Sequence, residues 1–149
     1  MMEEEPTIRS RVILIENGQL ALIKRVRDGR TYYIFPGGAV EEGETPEQAA
    51  VREAHEELGQ HIRLGRHVAT QEYAGHEHRF YLATATSGEF GKGCGSEYSE
   101  DRGPGDTEYL PMWISIGELA VYDVRPPRLA EALLSGEIEG WDGRRIEER

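Results

Sequence analysis

The sequence predicts an α/β domain with a mixed β-sheet and a helix on either side of it. Three features point there. Short β-rich runs are separated by turn signals, a strongly marked helix occupies residues 46–58, and a second apolar helical stripe follows near the end. With 149 residues and 38% hydrophobic content, the chain can bury a core without disulfide staples. No internal repeat or composition break divides it, so a single domain over residues 1–149 is expected.

The elements follow in order. Residues 7–15 (TIRSRVILI) read as a strand, Glu16-Asn17-Gly18 as a hairpin turn, and residues 19–25 (QLALIKR) as the returning strand. Residues 31–35 (TYYIF) are β-rich, and Pro36-Gly37-Gly38 is expected to break them with a turn into a short strand at Ala39-Val40. Residues 62–74 form a second β region interrupted at Gly65; Gly75 turns the chain into a strand at 78–86. Residues 87–107, with six glycines, read as a long loop. Residues 108–114 return as a strand made edge-like or bulged by Pro111. Ser115 is expected to cap a short helix at 116–120. Residues 126–134 form the last helix, with Leu129, Leu133 and Leu134 on one stripe and Gly136 at its stop. In the charged segment after it, Trp141 is the one large anchor, set in a strand pair around Asp142-Gly143 or a frayed tail.

The helix at 46–58 carries the chemistry. Thr45 and Gln48 form a capping box, Pro46 suits the first helical position, Glu47 suits the positive end of the dipole, and Gly59 stops the helix. At 100° per residue, Glu53, Glu56 and Glu57 share an arc of about 100°. Val51, Ala54 and Leu58 fall on the adjoining face, toward a core. Carboxylates so crowded repel one another. Arg52 can pair with Glu56 but cannot neutralise all three, so the cluster calls for a hard divalent cation, Mg2+ or Mn2+. A merely solvated acidic face is the commoner meaning of a Glu-rich helix.

The spacing argues against that plainer reading. Gly38, Glu44, Arg52, Glu53, Glu56, Glu57 and Gly59 stand at the intervals of G-x5-E-x7-R-E-U-x-E-E-x-G-U, where U is bulky and aliphatic. The stretch resembles the Nudix box, with Ala54 and Gln60 departing from it at the two U positions. Such a match arises by chance about once in ten thousand chains of this composition. Tyr32 to Gly38 resembles the W-x-x-P-G-G that often precedes the box, and Glu118-Leu119 resembles a tail of many such sequences. The resemblance implies a Nudix-type α/β/α sandwich and a metal-dependent hydrolase cleaving a diphosphate linkage by water attack at phosphorus. It implies Glu56 and Glu57 as metal ligands, Glu53 as ligand or general base, and the Gly37 carbonyl as a further ligand. Arg52 would orient a carboxylate, and Glu44 would brace the loop–helix join or the arginine. An extra loop glutamate often assists in this family; Glu97 is the first candidate and Glu100 the second.

Outside the box the signals are weaker. Lys24, Arg25, Arg27 and Arg30 could form a basic mouth for substrate phosphates, or simply a solvated loop. His76 and His78 lie two apart on one strand face, but without a third ligand they read as surface histidines. Trp113 serves either the core or base stacking, the core being the commoner use. The net charge of −11 argues against a nucleic-acid polymer or an anionic membrane as partner. Cys94 is the sole cysteine, which suits a reducing compartment, and residues 1–6 lack the pattern of a signal peptide. Cytoplasmic location and a small nucleotide partner are therefore expected, with homodimers common in the family resembled. Nucleoside triphosphates or oxidised nucleotides rank first as substrates, ADP-ribose or nucleotide sugars next, dinucleoside polyphosphates third. The rival function is a nucleotide-sensing module that does not cleave; its glutamates would be dispensable.

Overall fold

In the structure, a computed structural model, residues 7–91 and 106–147 are described, Asp106 and Thr107 by backbone alone. The strands are β1 (Thr7–Glu16), β2 (Gln19–Arg27), β3 (Arg30–Ile34), β4 (Gly37–Ala39), β5 (Gln60–Tyr73), β6 (His76–Gly88), β7 (Asp106–Ser115), β8 (Val124–Arg125) and β9 (Arg144–Ile146). The helices are α1 (Pro46–Leu58) and α2 (Pro127–Ser135), with 3-10 turns at Ile116–Val121 and Glu137–Gly140. The sheet runs β8-β3-β2-β1-β6-β5-β9, with β4 added to β1 and β7 to β2. It is mixed: β1–β6, β3–β8 and β5–β9 are parallel and the other pairs antiparallel.

Alternation along the strands divides the core in two. Val12 and Leu14 of β1 and Ala21 and Ile23 of β2 pack with Ala50, Ala54 and Leu58 of α1. Ile13, Leu20 and Leu22 face the other way, with Phe35, Phe80 and Trp141, and meet Leu129, Ala132 and Leu133 of α2. A helix thus covers each face, the expected α/β/α sandwich. Each large buried side chain contributes about 1.5–3 kcal/mol by leaving water.

Helix α1 has the expected bounds. The Thr45 hydroxyl accepts from Gln48 N at 3.1 Å and the Gln48 side chain accepts from Thr45 N at 2.9 Å, while Gly59 ends the helix at φ 76°. Ala54, small for its place in the box, is fully buried in the core that α1 shares with the sheet. Its size lets the helix lie close to the sheet, so this departure does not undo docking.

Several expectations are corrected. Gly37 and Gly38 are strand rather than turn: they pair with Arg11 and Ser10 of β1. Residues 60–73 form one strand, and the interruption expected at Gly65 appears as a register shift between Leu64 and His67 within it. Val51 is 38% and Leu134 43% exposed, each just past the edge of its helix's buried stripe. Ser115 makes no side-chain cap. The C-terminal segment is neither hairpin nor fray: β9 runs parallel to β5, and Arg66 donates to the Trp141 and Glu139 carbonyls. The expectation for Pro111 holds: it sits in β7, which among the described residues pairs with β2 alone and carries a bulge opposite Val26/Arg27.

Candidate active site: a carboxylate ledge beside an arginine-lined cleft

Arg52 ties the ledge together. Its guanidinium takes Glu44 in a two-pronged grip, Nε to Oε2 at 2.8 Å and Nη2 to Oε1 at 3.0 Å. Nη1 donates to both Glu56 oxygens at 3.1 and 3.2 Å, Nη2 donates to the Ala39 carbonyl at 3.0 Å, and Glu53 lies 3.4 Å away. The hydrogen bonds with Glu44 raise the arginine's pKa and lower that of Glu44. Both proposed roles of Glu44 hold, since it also accepts from Glu41 N at the loop–helix join.

Glu57 and Glu53 lie deeper, 2% and 6% exposed. One oxygen of Glu57 accepts from Gly37 N at 2.8 Å, the other from the Tyr109 hydroxyl at 2.6 Å. Burial, then the charge of Glu53, pushes its carboxyl well above the usual range despite these bonds. Two glycines make the approach possible. A Cβ on Gly38 would collide with the Glu53 carboxylate, and one on Gly37 (φ 150°) with the backbone of Ser10 and Arg11.

The donor set fits a hard divalent cation in its chemistry. Two buried carboxylates side by side cost several kcal/mol when both are charged, and a cation with all-oxygen preference removes that cost. The geometry is not preassembled. Among the described residues, no three His, Cys, Asp or Glu side chains are placed to hold one ion. Glu56 is turned toward Arg52, and the Gly37 carbonyl accepts from Arg11 at 3.1 Å.

The cleft opens beside this ledge because β1 and β2 pair only at Ile15–Leu20 and Glu16–Gln19 and then part. Between them lies a cavity of about 470 Å³ whose lining includes Arg9, Arg11, Arg25, Arg27, Arg125, Tyr32 and His76. Arg11 joins ledge and cleft: it donates to the Phe35 and Gly37 carbonyls at 3.1 Å and to His78 Nδ1 at 3.3 Å. His78 in turn meets the Tyr73 carbonyl through Nε2 at 2.9 Å. Arginine only donates and a carbonyl only accepts, so His78 is the neutral Nε2–H tautomer. Burial, then Arg11, lowers its pKa to about 4. It is a buried structural histidine, 6% exposed, where a surface one was expected. On the opposite wall Arg125 lies over the Tyr32 ring at 4.3 Å and pairs with Asp123.

The predicted residues separate accordingly. Glu53, Glu57, Arg52, Glu56 and Gly37 come together at the ledge, and Arg25 and Arg27 line the cleft. Lys24 does not join them: it points to the other side of β2 and pairs with Glu108 at 3.3 Å. Arg30 is exposed and outside the lining. Trp113 stacks on Phe90 at 4.7 Å against the α1-side core, away from the cleft. Glu97 and Glu100 lie outside the described residues. The residues that went unread are Tyr109, Arg9, Arg11, Tyr32 and Arg125. Alternation in TIRSRVILI could have placed Arg9 and Arg11 on one face; nothing local marks Tyr109, which reaches Glu57 from 52 positions away. A second cavity, about 960 Å³ between α2 and β9, has mixed charge and contains no box residue.

The chain is similar to known proteins. Over 58 residues the chain is 45% identical to 8-oxo-dGTP diphosphatase of Escherichia coli (strain K12), covering 36% of this chain and 45% of that protein. Over 55 residues it is 42% identical to RNA pyrophosphohydrolase of Psychromonas ingrahamii, covering 35% and 30%. The chain thus spans less than half the length of either relative. A NUDIX hydrolase structure from Nitrosomonas europaea superposes with TM-score 0.68 at 18% identity, covering 93% of each chain. An ADP-ribose pyrophosphatase from Streptococcus suis superposes with TM-score 0.66 at 19%, covering 95% of this chain and all of that one. These two likenesses show a shared fold. The family model of the NUDIX domain matches residues 6–133, and the chain belongs to that family.

Proposed function

We propose that the chain is a divalent-metal-dependent hydrolase of a nucleoside diphosphate derivative. One observation carries the reading: the buried Glu53–Glu57 pair meets the Gly37–Gly38 strand where the arginine-lined cleft opens. Glu53 and Glu57 would hold the cation, with Glu56 swinging from Arg52 and the Gly37 carbonyl completing the set. A cation bound there offsets charge on phosphate oxygens and acidifies water. Arg11, Arg25 and Arg27 orient the diphosphate by charge-assisted hydrogen bonds. Water oxygen bonds to phosphorus, the bridging P–O bond breaks, and the leaving phosphate takes the electron pair. A carboxylate accepts the water's proton, either Glu53 of the box, in place of ligating the cation, or Glu97 outside the box.

Nucleoside triphosphates and their oxidised forms rank first, in line with the relative named 8-oxo-dGTP diphosphatase. ADP-ribose, nucleotide sugars and dinucleoside polyphosphates follow. The relatives named RNA pyrophosphohydrolase add a 5′-triphosphorylated RNA to the panel, although the charge of −11 disfavours a polymer. The test is product release from this panel with Mg2+, with EDTA, and with Glu56→Gln. Turnover that needs metal and falls in the variant supports the hydrolase. Tight binding without turnover supports a sensor. Turnover indifferent to both EDTA and the variant would place the chemistry elsewhere.

A further inference from the structure

Of the arginines that line the cleft, Arg125 is held flat against a wall. It stands on β8, beside Ile34 of β3. One edge of its guanidinium is gripped by the Asp123 carboxylate, Nε to Oδ1 at 3.2 Å and Nη2 to Oδ2 at 2.8 Å. One face lies over the Tyr32 ring, 4.3 Å from its centroid. The bonds with Asp123 raise the arginine's pKa and lower that of the carboxyl, so the two stay charged and offset each other.

This arrangement suits a flat ligand better than a phosphate. The two-pronged edge that would match a phosphate is already on Asp123, which also supplies the counter-charge. The side chain is nonetheless part-exposed and lines the cavity together with Tyr32, Ile34 and Pro126. What it offers there is chiefly the face turned away from Tyr32. Guanidinium planes stack on aromatic rings and on bases, and a plane fixed in advance lowers the ordering cost of binding. The position is also right. Ile34 lies three residues before Gly37, so their Cα atoms are at most about 11 Å apart, a gap that the sugar and phosphates of a nucleotide span.

We propose that Arg125, backed by Tyr32 and held by Asp123, is the platform on which the base of the substrate stacks, and that it selects purine nucleotides. The proposal rests on the cleft being the substrate site, as read above. A purine covers more of the plane than a pyrimidine does. Among the described residues the lining has no Asp, Glu, Asn, Gln, Ser or Thr side chain to sort adenine from guanine by its edge, so the two bind alike.

The experiment is a nitrogen-edited NMR titration in EDTA, so that neither turnover nor a cation at the ledge enters. The probes are AMP, GMP, UMP and ribose 5-phosphate. They are titrated into wild type, Arg125→Lys, and Arg125→Leu combined with Asp123→Asn, which leaves no carboxylate unpaired. In wild type AMP and GMP are expected to bind about tenfold or more tightly than ribose 5-phosphate, with UMP between. A base over the guanidinium also moves the Arg125 Nε–H signal upfield, whereas ribose 5-phosphate does not; this signature is read in wild type and needs no variant to fold. In both variants the AMP advantage is expected to be lost, with ribose 5-phosphate binding within twofold of wild type. Circular dichroism checks their folding. Equal affinity for AMP and ribose 5-phosphate in wild type would overturn the platform, as would an advantage that survives both variants. An equal loss of both ligands in the variants would also overturn it, making Arg125 a phosphate ligand. UMP bound as tightly as AMP would overturn the purine selection. A purine advantage in a chain that hydrolyses nothing would keep the platform and reject the hydrolase. Hydrolysis without that advantage would do the reverse.

Discussion

The ledge and the cleft are neighbours built in opposite ways. The ledge is acidic and comes almost entirely from one 13-residue helix, with side chains three and four apart meeting because a helix repeats every 3.6 residues. The cleft is cationic and comes from six strands, with Arg9 and Arg11 on β1, Arg25 and Arg27 on β2, Tyr32 on β3, Tyr73 on β5, His76 on β6 and Arg125 on β8. One is set by local periodicity, the other by where β1 and β2 part. A chain of net charge −11 can therefore still present a local face suited to polyanions.

If the ledge is the chemical half, its loss should cost the most. Glu53→Gln is expected to lower kcat on the order of 10²–10⁴-fold, with KM for the preferred nucleotide changing little. A steady-state comparison checks this, and a KM effect with unchanged kcat would move Glu53 out of the chemistry. Arg52→Met comes next. It releases Glu44, Glu56 and the Ala39 carbonyl together. With the arginine side chain 26% exposed, a loss of about 2 kcal/mol is expected, read by urea denaturation, with a tenfold or greater fall in activity.

Tyr109→Phe probes the seam between the halves. The hydroxyl holds Glu57 at 2.6 Å and the ring lies 4.9 Å from the Arg25 guanidinium. Losing the hydroxyl alone should lower kcat roughly tenfold, about 1.4 kcal/mol, with the KM set by the ring and Arg25 retained. A KM change at constant kcat would contradict this positioning role.

His78 makes a pH test of the cleft floor. Its folded pKa of about 4 lies below the unfolded value, so between the two the unfolded chain binds more protons. Stability is then full above the unfolded pKa and is lost as pH falls from about 6.5 toward 4, by up to about 3 kcal/mol. His78→Asn should flatten that slope in denaturation curves; an unchanged slope would show that His78 does not set it. The smallest effect is expected from Lys24→Ala. Its pair with Glu108 is partly exposed, worth about 0–1 kcal/mol, so activity should stay within twofold. A tenfold loss would return Lys24 to the substrate side.

The same contrast explains what was legible in the sequence. The capping box, the helix bounds and the Arg52–Glu56 pair follow from neighbours in the chain, and each stands in the structure as read. The Gly37–Gly38 strand was misread as a turn because its reason is tertiary: β1 and the Glu53 carboxylate come too close for any Cβ. His78 looked like a surface residue because a half-polar strand face gives no hint that Arg11 and the Tyr73 carbonyl will enclose its ring. Lys24 and Arg25 are adjacent and equally basic; only the sheet decides which one faces the cleft. Val51 and Leu134 fell on helical stripes whose edges depend on how far each helix is tucked into the sheet.

The central claim is that Glu53 and Glu57 at the Gly37–Gly38 strand hold the cation that powers the chemistry. Mn2+ titration followed by electron paramagnetic resonance, in wild type and in Glu57→Gln, tests it without a substrate. The account predicts saturable binding in wild type that weakens tenfold or more in the variant, in a protein that remains folded. Mn2+ affinity that is absent from wild type, or unchanged in the variant, would contradict it.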